Sequence, residues 1–232
     1  MDSLAVIIPA AGSGSRMQKK IPKPYLRIAD RTILELTVSR FTGIDALKQL
    51  VIATSKDRLD ETRALLKPLA GAGVQLDCIE GGRERQFSIY NALKKLGDVG
   101  LVAVHDAVRP FVGEAQIIEC CEAALETGGA ILGIPVQDTI KRVDEQSMIR
   151  ETPDRKFLWQ SQTPQIFRKE ILLDAYEFAI KDEFVGTDDA SLVERRNKPV
   201  KVVHGSRQNF KITYPFDLKL ADLLLKEQQE EK

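Results

Sequence analysis

Four short segments of this chain set small residues beside cations or a carboxylate, a composition suited to holding phosphate. The first is Pro9-Ala10-Ala11-Gly12-Ser13-Gly14-Ser15-Arg16. Small side chains there let backbone N–H groups approach a phosphate chain, and Arg16 adds a guanidinium. The segment is neither a Walker-type GxxxxGKS/T nor a GxGxxG, because Met17 stands where the third glycine would be. It reads as a phosphate cradle or as a tight turn. Seven residues on, Lys23 lies between Pro22 and Pro24, whose fixed φ stiffens the segment and aims the amine. The plain alternative is an exposed loop lysine. Gly81-Gly82-Arg83-Glu84-Arg85-Gln86-Phe87-Ser88 repeats the design, with Arg85 and Ser88 one turn apart at a helix start that would favour an anion, a base or a ribose. Here the alternative is ordinary capping. His105-Asp106-Ala107-Val108-Arg109-Pro110 puts an acid beside an arginine, which suits a magnesium–nucleotide complex or else a structural ion pair.

Other chemistries fit poorly. His105 and His204 are the only histidines, and no GxSxG elbow accompanies them, which argues against a Ser-His-Asp hydrolase. No His/Cys cluster suits a transition metal. Paired-carboxylate glycosidase chemistry would leave the glycine-rich segments unexplained. A dinucleotide oxidoreductase should carry a proper GxGxxG and a ribose-binding acid. Cys78, Cys120 and Cys121 have no zinc-ligand spacing and read as reduced thiols filling core positions.

The elements that must position these segments alternate. Apolar, β-branched runs at Leu4–Pro9, Gln49–Thr54, Val74–Ile79, Leu101–His105 and Ala130–Pro135 predict strands. Amphipathic patterns near 32–41, 57–69, 85–96 and 114–126 predict the helices between them. Strands apolar throughout, separated by helices, imply an α/β fold: a mostly parallel, doubly wound, Rossmann-like sheet covered on both faces. Ligands bind such sheets at the carboxyl ends of the strands, which picks out four loops: the one after Pro9, Gly81–Ser88, Asp106–Pro110 and the stretch after Pro135. Helices near 169–180 and 188–195, a strand at 200–204 and a closing helix from about Pro215 follow. Residues 136–159 break the pattern. They are polar, with Thr139–Val143 as a candidate ribbon strand and with Ile140, Val143, Met148, Ile149 and Leu158 needing cover. A β-arm packed on a second subunit is the favoured reading, ahead of a disordered loop.

The 232 residues suit one domain, 1–232. Thirty-four basic and thirty-four acidic residues cancel, so neither a general nucleic-acid binder nor a membrane-surface protein is expected. No membrane span or secretory signal is read from the sequence, and a cytoplasmic location is the expectation.

Taken in order, PAAGSGSRM, PKPYL, GGRERQFS, HDAVRP, DTIKRV, WQSQTPQIF, TDDASLVE and NFKIT extend over almost the whole chain. In this register the chain resembles the cytidylyltransferases that make 4-diphosphocytidyl-2-C-methylerythritol in the non-mevalonate isoprenoid pathway. The family most often has PKQYL where this chain has PKPYL, and the lysine is kept. Pentitol (ribitol) phosphate cytidylyltransferases share HDAVRP and TPQ but tend to open with AGGxGxR and to lack DTIKR. The resemblance implies a nucleotidyltransferase sheet and transfer of a cytidylyl group from CTP to methylerythritol phosphate, with Mg²⁺ and a homodimer. It implies Arg16 and Lys23 as catalytic cations around the triphosphate. It also implies a nucleotide site at Pro9, Ala10, Ala11, Gly12, Ser13, Gly14, Gly82, Arg85 and Ser88, with Asp106 near the metal. Lys211 and Arg155 would grip the acceptor phosphate, while Arg109, Thr139, Thr163, Thr187 and Asp188 line the polyol site. Arg155 would reach the partner's site from the 136–159 dimerisation arm. A non-catalytic nucleotide-binding regulator would need neither Lys23 nor Lys211.

Overall fold

Strand β1 (Leu4–Pro9) has no polar face, and it lies inside the sheet for that reason. In the computed structural model, which describes residues 2–12 and 21–230, Leu4, Val6 and Ile8 pack into one apolar cluster while Ala5 and Ile7 pack into another on the opposite face. A small hairpin of β2 (Arg27–Ile28) and β3 (Arg31–Thr32) follows, then α1 (Ile33–Val38) and β4 (Leu47–Thr54). Thr32 and Glu35 close a capping box at the start of α1. Next come α2 (Leu59–Leu66), β5 (Gln75–Glu80), α3 (Arg85–Leu93), β6 (Leu101–Val104), α4 (Glu114–Thr127) and β7 (Gly129–Pro135). Gly128, at φ 92°, ends α4 in the left-handed region that glycine tolerates.

The arm carries β8 (Arg142–Val143) and β9 (Ile149–Glu151), paired antiparallel. The chain then runs through β10 (Trp159–Arg168), α5 (Lys169–Lys181), α6 (Asp189–Arg195), β11 (Lys201–His204) and α7 (Pro215–Glu230). The seven-stranded sheet has the order β11-β7-β10-β6-β1-β4-β5. Only β10 runs against its neighbours. α1, α2 and α4 supply the first apolar layer, and α3, α5 and α6 supply the second. A third cluster joins α7 to Leu26, Ile28, Val108 and Phe111.

Two departures from the sequence reading have physical causes. β10 was not among the expected strands, because Gln160-Ser161-Gln162-Thr163-Pro164 is polar and contains a proline that cannot donate to a ladder. The sheet accommodates it by a register shift between Ser161 and Gln165. The ribbon strand expected at Thr139–Val143 is confined to Arg142–Val143, opposite Ile149–Glu151.

The parallel strands β6, β1, β4 and β5 end on one rim, where two small-residue loops meet. An added Cβ on Gly81 would stand 2.6 Å from Ala11 Cβ and 3.0 Å from Ser88 Oγ, so no side chain fits between the loops. Gly81→Ala therefore should lower unfolding free energy by about 1–3 kcal/mol as the loops are forced apart. Urea denaturation measures this, and an unchanged midpoint with an unchanged slope would contradict the close packing.

Candidate active site

The loop pair frames a cavity of about 370 Å³. Pro9, Ala10, Ala11 and Gly12 form one wall and Gly82, Arg85 and Ser88 another, with Asp106, Lys23 and Lys211 also facing it. Ala10 N–H donates to the Ala53 carbonyl at 2.7 Å and Gly81 N–H to the Thr54 carbonyl at 2.8 Å, which fixes both loops to the end of β4. Ser88 Oγ accepts from Gly82 N–H at 3.0 Å and donates to the Glu84 carbonyl at 3.0 Å. Ser88 is therefore not a cap: α3 has no side-chain cap, and the hydroxyl proton goes back to the carbonyl one turn earlier, while the residue lines the cavity. Ser13, Gly14 and Arg16 lie outside the described residues.

Lys23 is buried, not an exposed loop lysine. It opens a short 3₁₀ turn, Lys23–Tyr25, whose tyrosine is tied down by hydrogen bonds of 2.5 Å to Thr54 Oγ1 and 2.7 Å to Thr62 Oγ1. The Arg58 guanidinium lies 4.7 Å from the Tyr25 ring centroid. The prolines stiffen the turn and Tyr25 anchors it.

Asp106 is the electrostatic centre. Its Oδ1 lies 3.4 Å from Arg85 Nε, and its Oδ2 lies 3.4 Å from Arg109 Nε and 3.0 Å from Lys211 Nζ. Burial alone would raise the Asp106 pKa, but Arg85, Lys211 and Arg109 outweigh it and hold the carboxyl well below the usual range. Arg85 is itself clamped by Asp189, with contacts of 3.1 Å and 2.7 Å to the two carboxylate oxygens. Burial disfavours the Arg85 charge, yet Asp189 and Asp106 raise its pKa. Tyr176 donates a short hydrogen bond to Asp189. Arg109 also donates to the Asn209 carbonyl at 2.7 Å. Burial lowers the Arg109 pKa against the pull of Asp106.

A second cavity, of about 330 Å³, lies across this cluster and shares Arg85, Asp106 and Lys211 with the first. Arg109, Thr163, Thr187 and Asp188 complete the expected part of its lining, joined by Ser161, Gln162 and Gln165. Asp188 caps α6 through Ser191 N–H at 3.0 Å and accepts from Gln165 at 2.8 Å and Ser161 at 3.2 Å. Thr163 Oγ1 accepts from Asp106 N–H at 3.0 Å and meets His105 Nδ1 at 3.1 Å. Burial pushes the His105 pKa down to about 4, so the ring is neutral near pH 7.

Thr139 and Arg155 line neither cavity. Both are exposed on the arm, and Arg155 Nη1 donates to the Gln137 carbonyl at 2.7 Å. Around them Met148, Ile149 and Phe157 are 63%, 62% and 75% exposed. Among the described residues, no cluster of three or more His, Cys, Asp or Glu side chains could hold a metal ion. The described residues therefore do not form an all-protein metal cage, and Asp106 is a carboxylate common to both cavities.

Asp189, Gln165 and Asn209 were missed in the sequence. The signal available for Asp189 was the doubled acid of Thr187-Asp188-Asp189, where only the first can cap the helix and the second must find another partner. Asp189→Asn should destabilise the fold by about 2 kcal/mol or more, below the full value of a buried pair because Arg85 retains some solvent contact. Urea denaturation at neutral pH measures the loss, and a change under a few tenths of a kcal/mol would refute the clamp.

A family model described as IspD: 2-C-methyl-D-erythritol 4-phosphate cytidylyltransferase matches residues 4–227. The protein of that name from Caldanaerobacter subterraneus subsp. tengcongensis is 39% identical over 225 residues, covering 97% of this chain and 99% of the relative. Its namesake from Symbiobacterium thermophilum is 41% identical over 226 residues, covering 97% and 94%. Among solved structures, the 4-diphosphocytidyl-2C-methyl-D-erythritol synthase of Anaerococcus prevotii superposes with a TM-score of 0.86 at 30% identity, covering 97% of this chain and 96% of that one. The 2-C-methyl-D-erythritol 4-phosphate cytidylyltransferase of Thermus thermophilus superposes with a TM-score of 0.79 at 32% identity, covering 97% and 99%. With a sheet, a rim and full-length similarity all in agreement, the chain belongs to the 2-C-methyl-D-erythritol 4-phosphate cytidylyltransferase (IspD) family.

Proposed function

We propose that the two cavities divide the reaction of this cytidylyltransferase, with CTP in the first and 2-C-methyl-D-erythritol 4-phosphate in the second. The observation that carries the reading is their shared wall of Arg85, Asp106 and Lys211. Two anionic substrates on either side of such a wall can bring an acceptor phosphate to the α-phosphorus of CTP. An oxygen of the acceptor phosphate forms the new bond to the α-phosphorus, and the bond to the β-phosphate oxygen breaks, releasing pyrophosphate. The nucleophile is already ionised, so no general base is needed, and the protein's part is alignment and charge.

In this reading the backbone of Pro9–Gly12 and Gly82 receives the nucleotide, and small side chains let it approach closely. Lys23 stands by the triphosphate, where negative charge grows on the leaving group, and the family resemblance assigns Arg16 the same role. Lys211 holds the acceptor phosphate, and Arg109, Thr163, Thr187 and Asp188 receive its hydroxyls. Arg85 acts as a strut between Asp106 and Asp189 in addition to lining the nucleotide cavity. Asp106 would be the carboxylate that holds a Mg²⁺ ion, which would supply positive charge to the triphosphate. Residues 1–232 would act as one domain. The arm, 136–159, would embrace a second copy, carrying Thr139 and Arg155 to that copy's acceptor site and burying the exposed Met148, Ile149 and Phe157.

Lys23→Ala should lower kcat by about 10²-fold or more with the fold intact, and Arg16→Ala should do the same with a further loss of CTP affinity. Lys211→Ala should chiefly raise the KM for the acceptor, since it grips a group anionic before and during reaction. Pyrophosphate release with CTP, Mg²⁺ and either methylerythritol phosphate or ribitol phosphate measures all three. Unchanged turnover in Lys23→Ala, or a CTP defect in Lys211→Ala without an acceptor defect, would reverse these roles.

The arm has its own test. When Arg155→Ala and Lys23→Ala proteins exchange subunits, each heterodimer gains one intact site, and activity should recover to about a quarter of wild type. Exchange is verified by native mass. Verified exchange with no recovery would place Arg155 in its own chain's site.

A further inference from the structure

We propose that His105 is a positioning residue, setting Asp106 through Thr163 and holding Arg109 through its carbonyl. This deepens the assignment above and rests on the placing of Arg109 and Thr163 at the acceptor side. His105 is fully buried, lines neither cavity, and packs edge-on to Phe41 with ring centroids 5.0 Å apart. Its Nε2 lies 3.0 Å from the Arg109 carbonyl oxygen and its Nδ1 lies 3.1 Å from Thr163 Oγ1.

The hydrogen-bond directions follow from the partners. A carbonyl oxygen only accepts, so Nε2 carries a proton, while Thr163 Oγ1 already accepts the Asp106 N–H and Nδ1 is the acceptor within reach of the hydroxyl proton. The Thr163 hydroxyl therefore donates to Nδ1, while its oxygen accepts the Asp106 N–H at 3.0 Å. Arg109 N–H in turn donates to the Asp106 carbonyl at 3.2 Å, closing the turn from inside. The imidazole closes the same turn from outside, linking the amide of Asp106 to the carbonyl of Arg109. A buried polar ring is costly unless both of its nitrogens are satisfied, and here each one fixes an end of the turn that bears Asp106 and Arg109. One consequence concerns Thr163. With its proton committed to His105, its oxygen can only accept from a substrate hydroxyl.

The test combines spectroscopy and kinetics. Long-range ¹H–¹⁵N NMR of a chain with two histidines should show His105 as the Nε2–H tautomer, and Thr163→Val should shift its Nδ1 resonance whereas Thr163→Ser should not. His105→Phe should raise the acceptor KM by about 10-fold or more with CTP KM within about threefold, and His105→Gln, whose amide can still reach the Arg109 carbonyl, should recover part of the loss. An Nδ1–H tautomer in the wild type would overturn the proposal. So would an unchanged acceptor KM in His105→Phe, or equal rises for both substrates. If His105→Phe does not fold, the wild-type tautomer and the Thr163 pair decide. Failure of the wild type to release pyrophosphate with methylerythritol phosphate would instead defeat the functional assignment, and the spectra would still report on the bracket.

Discussion

One buried carboxylate holds this site together. Asp106 could not keep its charge away from water alone, and Arg85, Arg109 and Lys211 could not converge without it. Like charges a few ångströms apart repel by about 4 kcal/mol at an effective dielectric constant near 20, so three cations need a central anion to stay aimed. Asp106 comes from the end of β6, Arg85 from the start of α3 and Lys211 from the approach to α7. Their meeting defines the wall between the cavities. A second carboxylate, Asp189, restrains Arg85 from behind and ties α6 to the cluster.

The nucleotide side depends on a different constraint, the space between two loops. Gly81 and Ala11 come so close that a side chain at Gly81 would displace the facing loop. That approach leaves backbone groups facing the cavity, while Tyr25, held between Thr54 and Thr62, brings Lys23 to the same rim. Rigid anchoring matters for phosphoryl chemistry because a cation that must reorganise during the reaction stabilises the transition state less. The sheet provides this rigidity, since β1 and β4 bury apolar side chains on both faces.

Much of this was legible in the sequence because apolar periodicity and small-residue loops are local signals. β1, β4, β6 and β7 follow directly from their β-branched runs, and the small-residue composition of the loops after β1, β5 and β6 marks them as binding segments from local sequence alone. β10 was not legible, since its polar QSQTP segment contradicts a strand in isolation and is rescued by the flanking ladders of β6 and β7. The Arg85–Asp189 clamp was also hidden. The two residues stand 104 apart, and nothing local to Arg85 distinguishes a strut from a nucleotide ligand. Thr139 and Arg155 form the converse case. The resemblance singled them out, but a single chain leaves both exposed on the arm, outside the linings of the two substrate cavities.

Steady-state kinetics of Asp106→Asn, with CTP and methylerythritol phosphate varied separately, tests the central claim most directly. Loss of the central anion should lower kcat/KM for the acceptor by about 10²-fold, the amount expected when several aligned cations lose their common partner. Acceptor kinetics within twofold of wild type, in a variant of unchanged fold, would show that Arg85, Arg109 and Lys211 hold their places without Asp106 and would contradict the account.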